Sequence, residues 1–284
     1  MPESRAPEAD VSRALAELGL EPRSFTPIGG YPRWRRGRVT YRVDLARGGV
    51  VKVRRVTRPR TSLGAALLLR ALEDPDLAAP LFAAGRVTIE QWVDGVSVGT
   101  HRPAAAHVDG AADLLGRLHA RTALPDRRFH RVGSTEPLRT KTLRRLDALR
   151  DARLLSSGEA RRLIAALDAG LPDRAGRGPV HGDLCAENLV VAPGGRVVSI
   201  DNERIRIDFL NYDLGRTWVR WPMPAPTYAR FERRYATWGR TPPAPTEAAA
   251  WRVCAGTKSA FTLRGTPDTG PELARAQVER VLRM

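Results

Sequence analysis

The sequence predicts an α+β chain of two lobes, a small β-rich lobe over residues 1–95 and a larger, mainly helical lobe over 96–284. Three observations predict it. Strand-like segments crowd the first 95 positions. From about His107 onward, apolar residues recur at helical spacing. A polar stretch flanked by apolar ends, "VHGDLCAENLVV" from Val180 to Val191, interrupts the helical half, with "RVVSIDNERIRID" close behind it.

In chain order, Val11, Leu15 and Leu18 share one face of a helix over Glu8 to Leu18, with Gly19 as its stop signal. Strands follow at "SFTPI", at "VTYRVDL" (Val39 to Leu45) and at "VVKVRRV" (Val50 to Val56), the last two joined by the turn-forming "ARGG". "TSLGAALLLRALEDP" reads as a helix ended by Pro75, and "GRVTIEQWVDG" as a strand running into a linker near Gln91 to Gly95. Beyond it, "VDGAADLLGRLHAR", "PLRTKTLRRLDALRDARLL" and "GEARRLIAALDAGL" are helical patterns. From about Tyr212 the tail reads as several helices separated by Pro-rich turns such as "TPPAPT".

Composition narrows the functional classes. With 42% hydrophobic residues in 284, the chain can bury one large or two small cores. Its longest apolar runs fall far short of a bilayer span. The segment "MPESRAPEAD" lacks a signal peptide's apolar stretch, and Cys185 and Cys254 cannot form a disulfide framework. A cytoplasmic setting is expected. The net charge of +16 invites a nucleic-acid reading. Against it, 44 of the 47 basic residues are arginines spread along the chain, and no zinc-finger or RNA-binding signature accompanies them.

The chemistry concentrates in the quoted stretch. Asp183 and Asn188 are five residues apart, and Asp201 follows thirteen residues after Asn188. Each alone reads as a turn former or strand cap. Together they match the arrangement of a kinase catalytic loop. One carboxylate accepts or orients the proton of an attacking hydroxyl, while a carboxamide oxygen and a second carboxylate suit Mg²⁺, a hard cation. A zinc–thiolate reading lacks ligands, since Cys185 has no paired cysteine and His181 is the only close imidazole.

"HGDLCAENLVV" followed by "VVSIDNE" resembles the paired signature of the aminoglycoside phosphotransferase and choline kinase family, which has a protein-kinase-like fold. "GRLHA" at Gly116 to Ala120 and "YDLGRTW" at Tyr212 to Trp218 extend the resemblance, which spans roughly Phe25 to Trp238. It implies ATP- and Mg²⁺-dependent transfer to a hydroxyl of a small molecule. Asp183 is then the base or hydroxyl-orienting group, His181 braces the loop, and Asn188 and Asp201 hold Mg²⁺, with Glu203 beside them. Asp213 anchors the loop from behind. Lys52 pairs with the α- and β-phosphates, a match sharpened by the scarcity of lysine. Gly29 and Gly30 lie in the place of the phosphate-covering hairpin, among Arg33, Arg35, Arg36 and Arg38. Backbone groups of Glu90, Gln91 and Trp92 fall where adenine is read. The lysine's usual glutamate partner is missing from an almost wholly apolar helix, leaving Glu73 at its end as the nearest candidate.

Acceptor identity is less constrained. From Ile205 onward, 13 Arg and Lys face 7 Asp and Glu, which repels a polycationic aminoglycoside and favours a neutral or anionic acceptor. Trp218, Trp221, Tyr228 and Trp238 read either as flat faces for a substrate or as packing groups. Two alternatives follow: a kinase of a lipopolysaccharide core sugar working in peripheral contact with a membrane face, and a nucleotide-binding pseudokinase regulator. A thiol at Cys185 is either a packing group or, if nearby cations lower its pKa, a reactive one.

Overall fold

The computed structural model describes residues 9–28, 39–56, 59–99, 103–121, 132–266 and 269–284. Gly29, Gly30 and the arginines between 33 and 38 lie outside the described residues. The chain forms two compact units, one of residues 1–96 with 190–205 and the other of 97–189 with 206–284. The stretch carrying Asp201, expected in the helical lobe, therefore packs with the N-terminal unit.

The first unit opens with α1 (Ala9–Glu17), which buries Val11, Ala14 and Leu15. Gly19 ends it in the left-handed region at φ 65°. Its N–H reaches Ala16 O while Leu20 N–H reaches Leu15 O, the paired bonds of a Schellman cap. A five-stranded antiparallel sheet follows, in the order β1 (Pro22–Pro27), β2 (Val39–Leu45), β3 (Val50–Arg55), β5 (Val87–Gln91), β4 (Pro80–Ala84). Val43, Val51, Val53 and Ile89 meet Val11 and Leu15 in one core. The strand period of two turns Lys52 and Arg54 of β3 to the opposite face. Between β3 and β4 runs α2 (Pro59–Leu72), which buries Ala65, Ala66, Leu69 and Leu72.

Residues 190–205 join this unit through a second motif. β6 (Val96–Ser97) is short and exposed. β9 (Leu189–Val191) and β10 (Val197–Ser199) are neighbours, turned at Gly194 and Gly195. Beyond β10 the main chain of Ser199 bonds both Asp76 O and Ala78 N–H. Asn202 then clamps the segment. Its Nδ2 donates to Ala78 O at 3.1 Å and Ser199 O at 2.9 Å, and its Oδ1 accepts from Ser199 Oγ at 2.7 Å.

The second unit is helical around α8 (Pro245–Leu263), against which α4 (Glu136–Asp151), α5 (Ser157–Gly170), α6 (Leu210–Arg220) and α9 (Gly270–Leu282) pack. Trp251, Cys254 and Ala255 of α8 are wholly buried. Gly215 of α6 faces Trp251 O so closely that a Cβ there would lie 2.8 Å from it, which explains a glycine inside a helix. α5 starts with a capping box between Ser156 and Glu159. α4 spends Thr142, Leu146 and Leu149 on the core. α3 (Ala105–Ala120) lies against α7 (Ala225–Ala236), joined by Arg230–Asp109 and Arg234–Asp113 forks. A small sheet in the order β11 (Arg206–Phe209), β8 (Arg174–Val180), β7 (Val132–Ser134) carries the chain to His181. No helix among the described residues is long and apolar enough to cross a membrane.

Candidate active site

In the second unit, β8 delivers the loop 181–188 and α6 holds it. Asp213 in the first turn of α6 is wholly buried, and its carboxylate accepts the N–H groups of His181 at 2.7 Å and Gly182 at 2.8 Å. His119 Nε2 of α3 lies 3.2 Å from the same carboxylate, and its Nδ1 lies 2.8 Å from Tyr235 Oη. Burial raises the Tyr235 pKa and keeps the phenol protonated against the His119 ring. Burial alone would raise the Asp213 pKa. The His119 bond, the charges of His119 and His181 and the Gly182 N–H outweigh it and hold the carboxyl below its ordinary range. Gly182 takes φ 74°, a turn that glycine permits without strain.

Asp183 emerges from this frame with its carboxylate steered by two arginines of α6. Arg216 Nη2 donates to Oδ1 at 2.9 Å while its Nε donates to Gly182 O at 2.8 Å. Arg220 Nε lies 3.1 Å from the same Oδ1. Arg216 is buried, whereas Arg220 is 37% exposed. His181 Nδ1 accepts the Asp183 N–H at 3.2 Å. Asn188 Nδ2 donates to Asp183 O at 2.9 Å. With its NH₂ engaged in the loop, the oxygen end of the carboxamide is the one left to serve as a hard ligand. Cys185 is fully buried, and burial pushes its thiol up to about 12 against the opposing charge of Arg220, with Asp183 and Glu187 adding to the rise. It is a packing group, not the activated thiol considered above.

In the first unit, Lys52, Arg54, Glu90, Asp201 and Glu203 form one cluster. Lys52 and Glu90 stand opposite each other on β3 and β5, with Lys52 Nζ 3.4 Å from Glu90 Oε2. Arg54, two residues along the same face, bonds both Glu90 and Asp201 and lies 3.4 Å from Glu203. The glutamate partner of Lys52 thus comes from the neighbouring strand. Glu73, the candidate from sequence, is exposed past the end of α2, in the left-handed region at φ 47°. Among the described residues, α2 presents Ala65, Ala66 and Leu69 to the pocket beside Arg54. Asp201 also adopts a left-handed conformation, φ 63°, which a non-glycine residue holds at a cost that its surroundings must offset.

The backbone of Glu90, Gln91 and Trp92, expected to read adenine, runs at and just past the end of β5. Glu90 and Gln91 are paired with Lys52 and Val51 in the sheet, and Trp92 N–H bonds Val50 O at 3.3 Å. Glu90 also places its side-chain carboxylate between Lys52 and Arg54. The aromatic residues considered as substrate faces all have partners within the second unit. Trp221 and Tyr228 are buried, Trp218 lies between Arg252 and Arg280, and Trp238 Nε1 bonds Asp113.

Sequence reasoning passed over Arg54, Arg216 and the Tyr235 link. Two signals could have found the arginines. Arg54 follows Lys52 by two in a strand, and Arg216 follows Asp213 by three in a helix, so each shares a face with a residue already singled out.

The donors suit Mg²⁺. Asp201 and Glu203 already flank one cationic group, and Mg²⁺ asks for one or two carboxylates with phosphate and water oxygens making up its shell. Among the described residues no group of three or more His, Cys, Asp or Glu is gathered for a metal.

A β-rich unit bearing a strand lysine and a helical unit bearing an Asp…Asn loop define a phosphotransferase of protein-kinase-like fold. The chain belongs to the phosphotransferase enzyme family, whose family model matches residues 2–251. No curated protein matches it significantly. Among solved structures it is similar to choline kinase LicA from Streptococcus pneumoniae, at 16% identity and TM-score 0.68, covering 97% of this chain and 98% of that one. Macrolide 2'-phosphotransferase MphH from Brachybacterium faecium matches at 16% identity and TM-score 0.67, covering 96% and 98%. A third match, at 13% identity and TM-score 0.67 and covering 98% of each chain, is a thermostable mutant of aminoglycoside phosphotransferase APH(4)-Ia. That structure is a ternary complex with AMP-PNP and hygromycin B.

Proposed function

We propose that this phosphotransferase moves the γ-phosphoryl group of ATP, with Mg²⁺, to a hydroxyl of a neutral or anionic small molecule. The observation that carries the reading is the setting of Asp183. Its carboxylate is fixed at one oxygen by Arg216 and Arg220, on a loop bolted to a buried Asp213. A carboxylate fixed in this way orients the acceptor hydroxyl and takes up its proton as the oxygen attacks phosphorus. The new O–P bond forms as the bond to the leaving ADP oxygen breaks.

Lys52, steadied by Glu90, is the cation for the nucleotide phosphates. Asn188, Asp201 and Glu203 are the oxygen donors for Mg²⁺, which when bound offsets phosphate charge. Two guanidinium groups beside Asp183 and the basic excess after residue 205 disfavour a polycationic acceptor. The regulator reading loses its motive, because Lys52 has a glutamate partner.

The test is ATP turnover over a metabolite pool, with products read by mass spectrometry, in wild type and in Asp183→Asn. A phosphorylated product formed by wild type and lost in the variant supports the proposal. Equal, slow ATP loss in both, with nucleotide still bound, sinks it.

A further inference from the structure

Resting on the metal role proposed for Asp201 and Glu203, we propose that Arg54 is their resident counter-ion, which a divalent cation must displace. Metal then binds this chain strongly only in company with nucleotide. The geometry is specific. The Arg54 side chain is 2% exposed, and its guanidinium bridges Glu90 to Asp201 with Glu203 at 3.4 Å. Lys52 shares Glu90, so among the described residues three carboxylates, Glu90, Asp201 and Glu203, gather around Lys52 and Arg54, with Ala65, Ala66 and Leu69 of α2 beside them.

A guanidinium does not deprotonate in a protein, so Arg54 cannot vacate the acids by losing charge. It can leave only by moving. Its fork allows this, because one end is bonded to Glu90 and the other to Asp201. Swinging off Asp201 and Glu203 while keeping Glu90 leaves half the fork without a partner. A metal ion alone offers that half nothing, and repels it. A nucleotide brought with the metal offers phosphate oxygens, which guanidinium groups bind in charge-assisted pairs. Each ligand thereby lowers the cost of the other, a positive coupling that is reciprocal by linkage.

The experiment is equilibrium dialysis of the full chain against Mn²⁺, with and without AMP-PNP, in wild type, Arg54→Gln and Arg54→Lys. Thermal unfolding confirms that each protein is folded. Wild type is expected to retain Mn²⁺ at least about tenfold more weakly without nucleotide. Arg54→Gln should tighten metal-only binding by about tenfold or more, since it removes the competing charge. Arg54→Lys, whose single ammonium cannot span Glu90 and Asp201 together, should tighten it by a smaller factor, about threefold. Wild type binding Mn²⁺ alone as tightly as with AMP-PNP overturns the proposal, whatever the variants do. Folded variants that bind metal alone like wild type overturn it as well. Wild type that retains Mn²⁺ under neither condition refutes the metal reading of Asp201 and Glu203 instead.

Discussion

Asp213 and Asp201 are both acids that ordinary surface logic would leave in water, yet the two units house them differently. Asp213 is sealed and satisfied by donors that have nowhere else to go: two main-chain N–H groups and a histidine held by a tyrosine. Asp201 is 24% exposed, and the partner shown for its carboxylate is a guanidinium shared with Glu90. Bonds to fixed backbone set a geometry and keep it. Ion pairs between side chains can be exchanged for other ions. The loop around Asp183 is thus built to stay in place, and the cluster around Arg54 is built to trade partners.

Predictions can break or sharpen this contrast. The largest effect is expected at Asp183 itself. Asp183→Asn should lower kcat by about a thousandfold, with ATP affinity changed by no more than about threefold, measured by steady-state kinetics and nucleotide titration. A large loss of ATP affinity instead would move Asp183 out of the acceptor role. Next comes the anchor. Asp213→Ala strands two buried N–H groups and should cost about 2–5 kcal/mol of stability by denaturant unfolding. A loss below about 1 kcal/mol would mean the loop does not depend on Asp213.

The exchangeable cluster should behave more gently. Glu90→Gln leaves Arg54 with Asp201 and Glu203 but takes the carboxylate from Lys52. It should weaken ATP binding by about tenfold while costing about 1–3 kcal/mol. Unchanged ATP affinity would show that Lys52 needs no partner.

The smallest effect concerns pH. The folded Asp213 pKa is depressed, so its stabilising contribution is complete above the ordinary value of 3.8 and disappears as pH falls through the lower folded value. Asp213→Asn should therefore flatten the acid limb of the stability–pH curve below about pH 4 and leave its shape near neutrality alone. An acid limb as steep as that of wild type would assign the dependence to other carboxylates.

Much of the fold was legible because local pattern and tertiary role agree. β2 and β3 alternate with a period of two around a glycine turn, and α5 announces itself by its Ser156–Glu159 box. β8 was not legible: "RAGRGPV" holds two glycines and a proline, and its strand state comes from pairing with β7 and β11. β4 was hidden for a related reason, since it begins at a proline and ends in two alanines. The candidate catalytic loop could be read because its spacing is contained within one short segment. The partners of Lys52 and Asp183 could not. Glu90 is selected by cross-strand register, and Arg216 by the direction in which α6 crosses the loop. Neither is a property of neighbouring residues in sequence.

Asn202 gives an experimentalist a useful tool. Its amide NH₂ is wedged between two carbonyl oxygens, Ala78 O and Ser199 O. Replacing it by aspartate exchanges one nitrogen for one oxygen, with no change of shape, and sets like charge densities against each other where a donor stood. Such an isostere leaves Lys52, Asp183, Asn188, Asp201 and Glu203 chemically intact. Comparing it with a direct carboxylate deletion would separate the contribution of having the proposed metal-binding groups from that of aiming them.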